Sequence, residues 1–240
     1  MKLAIAQLGD IHLKNADDPI LARVSVLCRA IAAEVDSQTA SIVLLLTGDF
    51  AQSGAVSEFE LAADFVTRVS VKLKELTNLD PLILCIPGNH DLDLSVDQDA
   101  RNTLVAMHKS NEVPATSTLQ FILTAEENYF AFAKTIASAA PHTKADPFVT
   151  THRLMVGSQH VTFRLLNSAW MSTRGEKTNS LYFPVNIIDG TPGQLDEYVI
   201  SAVHHPINWF KQPETMRLLQ TKLEGCSKAS AHTGRCWRIG

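Results

Sequence analysis

Three apolar runs in the first ninety residues end in glycine followed at once by a carboxylate or an amide. Residues 3–8 lead to Gly9-Asp10-Ile11-His12. Residues 41–47 lead to Gly48-Asp49. Residues 82–86 lead through Pro87 to Gly88-Asn89-His90-Asp91. Each run is short, rich in Ile, Leu and Val, and reads as a buried strand. The segments between them carry apolar residues at helical spacing: Ile20, Leu21, Val24, Leu27, Cys28, Ile31, Ala32 and Val35, then Phe59, Leu61, Ala62, Phe65, Val66, Val69, Leu73 and Leu76. Strand, helix, strand, helix, strand implies βαβ units and a parallel sheet. The polar residues then stand at the C-terminal mouths of the strands, where open α/β sheets place their ligands.

The chain changes character after residue 92. Residues 93–147 are helical in pattern, broken near 111–118, and read as an insertion that either caps the mouth of the sheet or forms a packing layer. Residues 148–156 and 160–166 form a predicted hairpin around Gly157-Ser158. Residues 171–179 read as an exposed loop, in which Arg174 and Lys177 are either solvated or in contact with a phosphate. A short β-like run follows at 181–188. Residues 198–203 read as a strand ending in His204-His205-Pro206, a fourth mouth with metal-competent side chains. A helix is expected over 213–223. Residues 224–240 lack apolar periodicity, so the domain is placed at 1–225 with an atypical or truncated tail at 226–240.

Net charge at neutral pH is −4, which gives no support to non-specific binding of duplex nucleic acid. Cys28, Cys85, Cys226 and Cys236 are scattered, with neither metal-type spacing nor a disulfide framework, as in a reducing compartment. The apolar run at 3–8 is too short for a secretory signal and meets Asp10 at once. No run is long enough to span a membrane. The expectation is a cytoplasmic protein.

Asp10, His12, Asp49, Asn89, His90 and His204 together offer carboxylate, amide and imidazole donors and no thiolate. That set suits Mn²⁺ or iron, with Zn²⁺ as a further candidate. It has more donors than one open-sided ion needs. Two ions sharing a carboxylate would use it to clamp a phosphate ester, with a metal-bridging hydroxide as nucleophile. The motifs that bind nucleotide phosphates through Gly-rich loops are absent.

Asp10-x-His12, Gly48-Asp49, Gly88-Asn89-His90-Asp91 and His204 in His-His-Pro resemble, in order, the signature blocks of the calcineurin-like metallophosphoesterase superfamily. The resemblance spans roughly residues 3–210. It implies a four-layer αββα sandwich of two mixed sheets. It implies that Asp10 and His12 bind the first of two divalent ions, that Asp49 bridges, and that Asn89 and His204 bind the second. His90 would contact the phosphate or protonate the leaving group, with Asp91 orienting its ring. The family closes with Gly-His-x-His. The nearest match here is Ala231-His232-Thr233-Gly234, in which His232 takes the first histidine position and nothing takes the second.

The leading expectation is a phosphodiesterase acting on a cyclic nucleotide or nucleic acid. Its alternatives are a phosphomonoesterase, including a protein phosphatase, and a non-catalytic binding or regulatory module. The altered tail also leaves room for further C-terminal domains in a longer parent chain.

Overall fold

A computed structural model describes residues 1–95, 97–137, 142–187, 197–211 and 236–239. Three parallel strands, β1 (Lys2–Leu8), β2 (Thr39–Leu46) and β3 (Leu82–Cys85), form the centre of the first sheet. Parallel neighbours need a crossover. Helices α1 (Val24–Ala32) and α2 (Val56–Thr77) supply the two crossovers. The strands have near-continuous apolar sequences because both faces of the sheet are covered.

One face carries the helices. Ala6, Leu44 and Leu46 share a cluster with Cys28 and Ile31 of α1 and with Phe59, Ala62, Phe65, Val66, Val69 and Leu73 of α2. Helix α2 starts cleanly because the Glu58 carboxylate accepts from the amides of Ser53 and Ala55 at 2.8 and 3.2 Å. It stops at Asn78, whose φ of 60° breaks the helical repeat.

The opposite face meets a second sheet. Its strands are β4 (His142–Ala145), β5 (Val149–Val156), β6 (Gln159–Leu166) and β7 (Glu197–Val203), hydrogen-bonded in that order. β5 and β6 are the expected hairpin, turning at Gly157 with φ 64°. β7 runs parallel to β6. Leu3, Ile5, Val43, Leu45 and Leu84 of the first sheet pack against Val161, Phe163, Leu165 and Ala202 of the second. Both sheets are mixed, since β8 (Cys236–Ile239) pairs antiparallel with β1.

Four expectations change here. The tail, which lacks apolar periodicity, contributes the edge strand β8. The run at 181–188 is not a strand: Leu181 makes a single bridge to Phe210 and a 3₁₀ turn occupies Val185–Ile187. Residues 93–147 divide among the helical layer, the outer face of the second sheet and that sheet itself, to which they give β4. Helix α5 (Glu127–Ile136) joins the helical layer, with Phe132 stacked on Phe59 at 5.1 Å. Helices α3 (Gln98–Met107) and α4 (Thr116–Leu123) instead give Val105 and Ile122 to a cluster around Trp170, Phe148 and Phe183. That cluster also holds Val149 and Leu166, so it covers the mouth end of the outer face of the second sheet. The fourth layer is therefore partial among the described residues. The helix expected over 213–223, Cys226 and His232 lie outside them. Among the described residues no helix is long and apolar enough to cross a membrane.

Candidate metal centre

The mouths of β1 and β2 are laced together beyond the ends of the strands. The amide of Asp10 donates to the Gly48 carbonyl at 3.0 Å, those of Ile11 and His12 to Asp49 at 2.9 Å each, and that of Leu13 to Phe50 at 2.8 Å. This lacing holds Asp10, His12 and Asp49 in the left-handed region, with φ of 55°, 53° and 57°. Asp tolerates that region better than most residues and His is several-fold enriched there. Three such residues within one site mark stored backbone strain that the surrounding fold sustains.

Asp49 is the centre of the arrangement. It is 3% exposed. Its Oδ2 lies 3.6 Å from His12 Nε2 and 3.5 Å from His204 Nε2. Its Oδ1 accepts from the His90 amide at 2.8 Å. Burial alone would raise the Asp49 carboxyl, but the His204 imidazole, the His90 amide and His12 outweigh burial and hold it below the usual carboxylate range.

The ligand atoms fall into two groups, each within 4.8 Å: Asp10, Asp49 and His204, and His12, Asp49 and His90. Asp49 belongs to both. Asp10 falls in the group with His204, and His12 in the group with His90, whose ring it meets edge-on at 4.6 Å. Asn89 lies beside His204, with its Oδ1 3.1 Å from Nε2.

His204 is fixed by its other nitrogen. Nδ1 donates to the Thr47 carbonyl at 2.8 Å, which leaves Nε2 on the Asp49 side and able to ligate. Burial would lower its pKa, but Asp49, the Thr47 carbonyl and Asp10 raise it to about 9. The neighbouring His205 has a different environment. It is 2% exposed, its Nδ1 is 2.8 Å from Ser168 Oγ, and burial pushes it down to about 3. His204, which ends the strand and faces Asp49, is the residue of the pair that joins the site.

Asp91 does not orient His90. Its fully buried carboxylate accepts four backbone amides: Asp49 at 2.7 Å and Gly88 at 2.9 Å on Oδ2, Phe50 at 2.8 Å and Ala51 at 2.9 Å on Oδ1. It staples the β3 mouth to the β2 mouth. The Gln52 carbonyl takes the role expected of Asp91, accepting from His90 Nδ1 at 2.8 Å. Sequence reasoning missed Gln52 because a backbone carbonyl carries no residue signal.

Arg174 reaches the same loop. Its guanidinium donates to the carbonyls of Asn89 and His90 at 3.4 Å each and to that of Leu92. It is thereby anchored on backbone carbonyls while keeping its charge.

The donor set fits divalent ions. Carboxylates and imidazoles converge on a shared, ionised Asp49, with an amide oxygen alongside and no thiolate, the mixture expected for Mn²⁺, iron or Zn²⁺. His12 also keeps a buried Nδ1 with no hydrogen-bond partner among the described residues, an imidazole not yet committed by a second bond. A family model described as calcineurin-like phosphoesterase matches residues 3–232. No curated protein matches the chain.

Proposed function

The chain belongs to the calcineurin-like phosphoesterase family, and on that premise we propose that it hydrolyses phosphate esters, diesters in preference to monoesters, at a centre built on Asp49. The observation that carries this reading is the membership of Asp49 in both ligand groups. One carboxylate shared between two sets of donors is what a pair of ions a few ångströms apart requires. Asp10 and His204 would serve one side of Asp49 and His12 the other, with Asn89 beside His204. Mn²⁺ or iron fits best, and Zn²⁺ next. Divalent ions in these positions would supply Lewis-acid charge to a phosphoryl oxygen and acidify a water.

The remaining steps fall to side chains of the chain itself. His90 Nδ1–H is held by the Gln52 carbonyl, so its Nε2 is free to hold a proton for the leaving oxygen. The ring is pre-oriented, which removes a reorganisation cost from that transfer. The preference for a diester rests on charge. A monoester dianion needs more positive side chains than a diester monoanion, and the Arg174 guanidinium, though still charged, directs its N–H groups to three carbonyls of this loop. Cyclic nucleotides and nucleic-acid ends are the diesters in view.

The test is hydrolysis of a bis-aryl phosphate and the matching mono-aryl phosphate, with and without Mn²⁺, beside His90→Ala. Turnover should require Mn²⁺ and favour the diester. His90→Ala should keep its metal and lose about 10²–10⁴-fold in kcat. Turnover that survives exhaustive chelation would refute the metal mechanism. Metal binding without any turnover would make the chain a binding module.

A further inference from the structure

The turn that carries Asn89 and His90 is held from two sides. On the buried side Asp91 takes four amides, and the His90 amide donates to Asp49 Oδ1. These bonds occupy amides and leave the carbonyls of the turn to be accounted for. On the solvent side one residue takes three of them. Arg174 Nε donates to the Asn89 carbonyl at 3.4 Å, and Nη2 donates to that of His90 at 3.4 Å and to that of Leu92. No other side chain among the described residues donates to these three carbonyls. A planar guanidinium holds its donors in fixed directions and can span a bend of backbone, which a compact ammonium does not.

Arg174 is itself built into place. Its φ is 60°, in the left-handed region that long side chains rarely occupy. Such strain persists where the surrounding structure sustains it. Glu176 does so here: its Oε1 accepts from Ser172 Oγ and from the amides of Thr173 and Arg174. Behind Glu176 stands a second arginine. Arg101 of α3 is 2% exposed, and its guanidinium donates to the carbonyls of Trp170 at 2.9 Å, Ser172 at 2.5 Å and Ile122 at 3.1 Å. A buried arginine thus anchors the 170–176 loop to α3 and α4, and the exposed arginine of that loop anchors the turn of the metal centre. Arg174 makes no ion pair among the described residues, so its recorded bonds all converge on residues 89–92.

We propose that Arg174 is a positioning residue: its guanidinium fixes the turn so that Asn89 and His90 present their side chains to the reacting groups. Only the kinetic part of the test rests on the phosphoesterase reading. The variant is Arg174→Gly, because glycine adopts a φ of 60° without strain and so preserves the loop.

The first measurement is the long-range ¹H–¹⁵N imidazole spectrum of the metal-free full chain at mildly alkaline pH, with His90→Ala to assign the ring. The native His90 ring should show the Nδ1–H tautomer held by the Gln52 carbonyl. Arg174→Gly should lose that signature, and added guanidinium ion should restore it. The second is Mn²⁺-supported hydrolysis of a bis-aryl phosphate. Arg174→Gly should lose about 10–100-fold in kcat with KM nearly unchanged, as for other residues that orient ligating groups. Guanidinium ion, and not ammonium, should recover most of the loss. The proposal fails if the His90 ring signals are the same in Arg174→Gly. It also fails if KM alone rises, which would put Arg174 on the substrate, or if ammonium rescues as well as guanidinium, which would make it a point charge. A native chain without turnover would defeat the phosphoesterase reading and leave the spectrum to decide the positioning role.

Discussion

A carboxylate can build a metal centre without being placed to touch an ion. Asp91 sits in a Gly-Asn-His-Asp block that reads, from sequence, as a run of catalytic groups. Its four amide bonds instead fix the two loops that present Asp49 and His90. Residue type was legible in the sequence and partner was not, because backbone amides come from chain direction rather than side-chain identity. Glu126 is a second buried acid with no sequence signal. It is 0% exposed, Asn167 donates to its Oε2 at 2.7 Å, and Oε1 has no hydrogen-bond partner among the described residues. Burial raises its carboxyl to about 8, against the opposing pull of Asn167 and Arg101. The folded chain therefore keeps a proton that the unfolded chain releases near the ordinary value of about 4.5. This contribution to stability is full below that value and is lost as pH rises toward 8, by at most about 1.4 kcal/mol per pH unit. Glu126→Gln should cancel this loss. Denaturant titrations should show the variant gaining on the native chain between pH 5 and pH 8, roughly the window of the shift. A stability difference independent of pH would mean that Glu126 is ionised in the fold.

At the scale of elements, the site depends on how closely two strand ends approach. A Cβ at Gly88 would overlap Asp49 Oδ1 and come within 2.5 Å of the Asp49 amide. At Gly48, with φ 91°, it would meet Gly88 N at 2.5 Å and His204 Nδ1 at 2.8 Å. Glycine at both mouths is what lets three strand ends converge. Gly88→Ala should displace Asp49, and metal content should fall sharply while far-ultraviolet circular dichroism stays native. Unchanged metal content would show that the mouths have slack. The parallel strands and α2 were readable from sequence because burial on both faces of a strand, or on one face of a helix, writes a plain apolar pattern. β8 was not, since an edge strand is specified by its pairing with β1 more than by its own composition. The run at 181–188 misled because Leu181 and Phe183 are buried in the cluster around Trp170, at the mouth end of the second sheet, rather than in a ladder.

Across the whole molecule, two sheets packed face to face bring the C-terminal ends of β1, β2, β3 and β7 to one side. Four segments far apart in sequence thus deliver Asp10 and His12, Asp49, Asn89 and His90, and His204 to one place. The donors were legible because each follows a strand end. Their grouping around Asp49 was only partly so, since pairing across mouths depends on loop geometry that spacing does not encode. The central claim is that Asp49 is shared between two ions. Its direct test is equilibrium dialysis against Mn²⁺ with metal counting, for the native chain and Asp49→Asn. The account predicts two ions per native chain and a loss from both positions in a folded Asp49→Asn. One ion or none in the native chain, or an Asp49→Asn that retains as many as the native chain, would contradict it.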